Sequence, residues 1–229
     1  MDKTVPSLEQ AVAGIIDGAS IMIGGFGAAG LPLNLIHALI AQGTKELTVI
    51  SNSITEFLDL IQAKRIKRVI TSYLGLPRSI MPVNPFEEQY LAGEVELELV
   101  PEGILAERIR AAGVGIAALY SPVGINTFIE EGKEAKIING KKYILETALG
   151  ADFALVKGYK GDRFGNLIYR KSARNNNPII AMAANITIAE VEEIVEVGQL
   201  DPEIVVTPGI FIDRIVQAEK RTREFKITY

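Results

Sequence analysis

Four glycines, Gly24, Gly25, Gly27 and Gly30, follow the apolar run Ile21–Ile23 and precede Pro32. Glycines so placed let the main chain turn sharply, present N–H groups, and admit a bulky ligand where a Cβ would collide. A helix opening at Pro32 adds the positive end of its dipole to the same place. The chemistry that suits such a loop is the binding of an anion or a polarised carbonyl. A bare strand-to-helix turn is the competing reading, but four glycines exceed what a turn needs. The embedded G-x-G-x-x-G of Gly25, Gly27 and Gly30 also raises a dinucleotide, which requires an acid about 20 residues on, at the end of the second strand, for the ribose. That strand ends at Ser51, Asn52 and Ser53, and the nearest acid, Glu56, is already one turn into the next helix. NAD and FAD are therefore disfavoured.

Other residues offer chemistry with a plainer alternative beside it. Asn52 falls at the carboxyl end of a strand, where open α/β sheets place ligands, or it makes a helix-entry turn. Glu102, in Pro101-Glu102-Gly103, is a substrate-facing or a merely solvated turn residue. Lys64–Arg68 is a basic cluster that meets phosphates or finishes a helix in solvent. Arg170, Lys171 and Arg174, beside three asparagines, face carboxylates or a subunit interface. Phe26 packs against a ligand, a partner or the core. The chain has one histidine, His37, and no cysteine, which excludes disulfides, thiolate metal sites and a cysteine nucleophile. No metal site is expected.

The elements that must position these residues follow from periodicity and punctuation. Ser7 with Gln10 caps a first helix, Ser20–Ile23 is a buried strand, and residues 33–42 carry apolar side chains at helical spacing up to Gly43. Residues 46–51 form a strand, Ser53 with Glu56 makes a capping box for the next helix, and 68–74 form another strand. Residues 77–85, rich in proline, read as a loop, 86–92 as a helix, 94–100 as a half-exposed strand, and 104–112 as a helix. Residues 114–120 read as a further apolar strand. Asn139-Gly140 between two strand-like runs signals a hairpin, and residues 160–169 supply a second turn. Residues 178–184, 190–198 and 203–216 read as more strands and turns. The expected fold is α/β: a mostly parallel open sheet flanked by helices, with an antiparallel hairpin excursion, in a single domain spanning 1–229. The tail 217–229 is expected to be a surface segment with freedom to move.

The 229 residues, 48% hydrophobic and 23% charged, are enough for a sizeable core, and a net charge of -4 supplies no field to attract nucleic acid. The opening residues lack a signal-peptide pattern and no apolar run approaches a membrane span, so a soluble, cytoplasmic protein is expected.

The run Asp17-Gly18, Ile21-Met22-Ile23-Gly24-Gly25-Phe26, Gly30 and Pro32 resembles the signature of the A (α) subunits of family I coenzyme A transferases: D-G, two residues, three apolar residues, G-G-F, three residues, G-x-P. Residues 90–113, 161–178 and 200–216 are similar to the corresponding stretches of 3-oxoadipate, acetoacetate and succinyl-CoA:3-oxoacid CoA-transferases. The resemblance implies a CoA-transferase fold related to sugar-phosphate isomerases, and a CoA-contacting loop comprising Gly24, Gly25, Phe26, Gly27, Ala28, Ala29 and Gly30, whose N–H groups polarise the thioester carbonyl. It implies ping-pong transfer through a glutamyl-CoA thioester, with acyl-CoA as substrate, no permanently bound cofactor, and the glutamate on a partner B subunit, in an α2β2 heterotetramer. No catalytic nucleophile is then expected on this chain. Asn52 and Glu102 become the substrate-binding candidates. Family members often carry two asparagines at the first position and usually a glutamine at the second, so both departures bear on the acid accepted. A sugar-phosphate isomerase and a non-catalytic acyl-CoA-sensing module are the rival readings.

Overall fold

The structure, a computed structural model, describes residues 2–75 and 84–223. Along the chain run α1 (Leu8–Val12), β1 (Ser20–Ile23), α2 (Leu33–Gln42), β2 (Leu47–Ile50), α3 (Ile54–Gln62), β3 (Ile66–Thr71), α4 (Pro85–Leu91), β4 (Glu96–Leu99) and α5 (Glu102–Gly113). There follow β5 (Ala118–Ser121), β6 (Ala135–Ile138), β7 (Lys141–Thr147), β8 (Ala151–Lys157), β9 (Lys160–Asp162), β10 (Leu167–Ile168), α6 (Asn177–Ala181), β11 (Ala184–Val191), β12 (Glu193–Val195) and β13 (Arg214–Gln217). Seven strands form one sheet in the order β13-β11-β8-β1-β2-β3-β4, and every neighbouring pair is parallel.

The sheet is covered on both faces, which is why its central strands read as unbroken apolar runs and not as alternations. Ile21 and Ile23 of β1 pack with Leu35, Leu39, Phe57 and Phe86 from α2, α3 and α4. Met22, between them, faces the other way, into a layer with Ile104, Ile109 and Ile180 from α5 and α6. The local signals act as read. Ser7 and Ser53 cap α1 and α3, the Ser53–Glu56 capping box is complete, and Gly43 ends α2 at φ 91.

The antiparallel excursion is present and larger than a hairpin. Asn139 and Gly140, both at positive φ, join β6 to β7, and β7 then pairs with β5 in a separate sheet of order β5-β7-β6. Residues 114–120 thus lead away from the main sheet. Residues 178–184, expected as strand, begin as the short helix α6, because Pro178 fits a first helical turn. Residues 76–83, most of the proline-rich loop, and residues 224–229 of the tail lie outside the described residues. The preceding tail residues lie against α2 and α3: the Arg223 guanidinium donates twice to Asp59, at 2.9 and 2.9 Å, His37 Nε2 lies 3.0 Å from the same carboxylate, and Arg221 meets His37. No helix among the described residues is long and apolar enough to cross a membrane.

Strand order decides where a site belongs. From β1 the chain builds outward through β2, β3 and β4 on one side, and β8, β11 and β13 fill the other. The carboxyl ends of β1 and β8 therefore flank the point at which the winding reverses, the crevice in which open α/β sheets bind ligands.

Candidate functional site

The glycine loop leaves the carboxyl end of β1 at that crevice. Gly24 N–H donates to Leu155 O of β8 at 2.9 Å, which carries the β1–β8 pairing one residue into the loop. Phe26 and Ala29 then exchange backbone hydrogen bonds of 3.0 and 3.1 Å, making a tight hairpin with Gly27 and Ala28 at its tip. Gly25, Gly27 and Gly30 all take positive φ, 116, 61 and 68. Phe26 is 48% exposed at this hairpin, outside the core.

The loop is gripped from behind by residues that sequence reading placed only loosely. Asn177, wholly buried at the start of α6, accepts from Lys157 N–H at 3.0 Å and donates from Nδ2 to Gly30 O at 3.1 Å and Ala173 O at 3.0 Å. Asn175 donates to Ala29 O at 3.0 Å and holds φ 23, ψ -123 to do so. A Cβ on Gly24 would lie 2.0 Å from Asn177 Oδ1, and one on Gly30 would lie 2.3 Å from Ala173 O. Gly24 and Gly30 are thus glycines because asparagine side chains and the backbone occupy the space. Gly27 has nothing within 4 Å of its Cβ position and faces open space.

Asn52 and Glu102, 50 positions apart, meet on the wall of a cavity of about 310 Å3 that also takes in Ser51, Leu105, Asn176 and Ile180. That is the lower end of the range for small-molecule sites, about 300–1,000 Å3. The Asn52 backbone carbonyl accepts from Ser72 and Tyr73, while its side-chain amide has no partner among the described residues. Glu102 opens α5 and is exposed. Asn176 reaches this cavity while its neighbours Asn175 and Asn177 hold the glycine loop, so one short segment ties loop and cavity together. Arg170, Lys171 and Arg174 form no ion pair among the described residues, and the loop-holding asparagines follow them directly. The cluster Lys64–Arg68 is not part of this arrangement. Lys64 and Arg68 pair with Glu94 and Glu98, and Lys64 lies at the amino end of β3, opposite the loop.

Two further carboxylates are buried at the same edge. Glu56, wholly buried, accepts from Gly27 N–H at 2.7 Å and Thr55 Oγ1 at 3.1 Å through Oε1, and from Ser53 N–H through Oε2. Burial pushes its carboxyl up to about 7, against the pull of those donors. Glu190, at the end of β11, pairs with Lys157 at 3.2 Å and accepts from Asn34 Nδ2 at 3.2 Å and Leu35 N–H at 3.0 Å, so it also caps the first turn of α2. Burial raises its carboxyl as well, and Lys157 opposes the shift. No group of three or more metal-ligating side chains occurs among the described residues.

Few loop amides are left for a ligand. Those of Gly24, Phe26, Gly27 and Ala29 are engaged, whereas Gly25, Ala28 and Gly30 have no partner among the described residues. Of these three residues Gly25 and Gly30 are buried and Ala28, at the hairpin tip, is half-buried.

The sequence model of a family described as Coenzyme A transferase matches residues 5–218, nearly the whole of this arrangement. The chain belongs to the coenzyme A transferase family. Among curated relatives, the A subunit of a 3-oxoadipate CoA-transferase of Pseudomonas putida is 51% identical over 220 residues, covering 94% of this chain and 94% of that one. The A subunit of a succinyl-CoA:3-ketoacid coenzyme A transferase of Helicobacter pylori is 45% identical over 232 residues, covering 100% and 97%. Among solved structures, glutaconate coenzyme A-transferase of Acidaminococcus fermentans superposes with a TM-score of 0.80 at 21% identity, over 95% of this chain and 76% of that one, a likeness of fold. A variant of the decarboxylase AibA/AibB superposes with a TM-score of 0.80 at 29% identity, over 96% and 84%. In a CoA-transferase, CoA is the substrate passed on.

Proposed function

We propose that the protein is the A subunit of a 3-oxoacid-type CoA-transferase, moving CoA between an acyl-CoA, succinyl-CoA or acetyl-CoA, and a carboxylic acid such as 3-oxoadipate or acetoacetate. The observation that carries this reading is the glycine loop at the reversal of strand order, gripped by asparagines and presenting a free amide at its tip. The relatives named as A subunits support the division of labour.

The reaction assigned to the assembled enzyme conserves the thioester. A glutamate carboxylate from the B chain of the pair attacks the acyl-CoA carbonyl, the C–S bond breaks, and CoA thiolate leaves a mixed anhydride. The thiolate then attacks the glutamyl carbonyl, releasing the first carboxylate and leaving glutamyl-CoA. The incoming carboxylate reverses both steps and departs as the new acyl-CoA. In each step charge grows on a carbonyl oxygen, and the loop amides, with Ala28 at the tip, are the donors this chain offers. Asn52 and Glu102 face the acid being exchanged, and Arg170, Lys171 and Arg174 supply positive charge nearby.

The carboxylates of this chain at the site are poor nucleophiles, which supports an imported one. Glu56 has both oxygens engaged and is sealed off, Glu190 is ion-paired beneath α2, and Glu102 is solvated at the cavity wall. Co-expression with the B subunit, followed by CoA exchange over a panel of carboxylic acids and borohydride trapping of the intermediate, tests the reading. The pair should exchange CoA and carry the label on B. Exchange by this chain alone, or label on it, would sink the proposal.

A further inference from the structure

Glu56 lies 29 positions from Gly27, on a different element, yet one of its oxygens receives the amide of the loop tip while the other receives the amide that opens α3. The capping box accounts for the second contact. It does not account for the first, which crosses from α3 to the loop after β1. Asn52, on the cavity wall, immediately precedes the Ser53 amide that Glu56 holds. One wholly buried carboxylate thus spans the two halves of the proposed site, the loop that meets the thioester and the turn that meets the acid.

We propose that Glu56 is a positioning residue for the thioester loop: its carboxylate, shared between the Gly27 and Ser53 amides, sets the hairpin tip relative to Asn52. The inference rests on the reading of Gly24–Gly30 as the acyl-CoA loop. Taking up the Gly27 N–H leaves Ala28 as the donor at the tip, and fixes where that donor points. The Phe26–Ala29 pair closes the hairpin and Asn175 and Asn177 hold Ala29 and Gly30 from behind, but among the described residues Glu56 alone holds an amide of the tip itself. Every group on the carboxylate is uncharged: Gly27 from the loop, Ser53 at the cap of α3 and Thr55 in its first turn. Among the described residues no cation and no second carboxylate pairs with it, so its ionisation is governed by burial, these three donors and its own backbone N–H. A hydrogen bond from an amide to an ionised carboxylate is about twice as strong as one to a neutral group, so the grip on the loop follows the charge on Glu56.

Two measurements test this. In the 15N-labelled full chain, without any partner, the Gly27 amide proton should move with pH around 7 and should exchange with solvent at least about tenfold faster in Glu56→Ala, with Glu56→Gln, which keeps one acceptor oxygen, in between. In the complex with the B subunit, Glu56→Ala should lower kcat about 10- to 100-fold, the cost of misplacing a catalytic group by about 1 Å, with KM for acyl-CoA changed less than about threefold, and Glu56→Gln should recover part of the loss. A Gly27 amide indifferent to pH between about 5 and 9 in the wild-type chain would overturn the proposal even if the variants failed to fold. So would wild-type kcat in a folded Glu56→Ala complex. A wild-type complex that exchanged no CoA would instead remove the transferase reading, with the amide titration still reporting the strut.

Discussion

The loop glycines differ in what holds them to glycine, and substitution should separate them. Gly30 takes φ 68 with Ala173 O and the Asn175 and Asn177 amides against its Cβ position, whereas Gly27 takes φ 61 in open space. Gly27→Ala should cost only about 1–2 kcal/mol, the strain of left-handed backbone. Gly30→Ala adds overpacking against backbone and should exceed about 3 kcal/mol, read as a lower urea midpoint. Glu56 makes a second prediction at this scale. Its carboxyl sits near 7 in the folded chain against an ordinary 4.5, so between those values the native state holds a proton the unfolded state has released. The stability it contributes is therefore complete below pH 4.5 and lost as pH rises through about 7, a decline of order 3 kcal/mol. Unfolding of the chain from about pH 4.5 to 8 should show that decline, and Glu56→Gln should reduce it, leaving the part that Glu190 contributes. A residue that destabilises the fold at the pH where its charge is useful is the pattern expected of a functional site.

At the scale of elements, α2 and α3 are fastened at both ends by charge. Glu190 holds the first turn of α2, where a carboxylate is favoured by the helix dipole. Toward the other end of the same pair, Asp59 of α3 binds His37 of α2 and the Arg223 guanidinium of the segment after β13. Burial alone would raise the Asp59 carboxyl, but Arg223 and His37 carry it below its ordinary value. Its contribution is therefore present above about pH 4 and lost as pH falls through the depressed value. Arg223→Ala should destabilise the chain by about 1–3 kcal/mol at about pH 7.5, since it removes two charge-assisted hydrogen bonds from a half-buried carboxylate. The gap between variant and wild type in thermal melts should close below about pH 4, and a gap unchanged there would contradict the role given to Asp59.

For the whole molecule, the parallel sheet brings five separate segments to one edge: the glycine loop, the Asn52 turn, Glu102, the Asn175–Asn177 run and Glu190. That edge provides donors, a cavity and cations, but its carboxylates are buried, paired or solvated, so under the proposed function exchange should require both subunits and be absent from this chain alone. Much of this was legible in short stretches. The β/α rhythm, the Ser7 cap and the capping box at Ser53, the Asn139-Gly140 turn and the glycine loop rest on contacts within a few residues, and local periodicity and φ preferences encode those directly. The strand order, the departure of β5 into its own sheet, the grip of Asn177 on Gly30 across 147 positions and the reach of Glu56 to Gly27 were decided by tertiary structure. The same Glu56 shows both sides: its place three residues after Ser53 announces a helix cap, and only folding brings the loop amide to its other oxygen. Local chain geometry is written in neighbouring residues, whereas partners chosen across the sheet depend on the packing of the entire core.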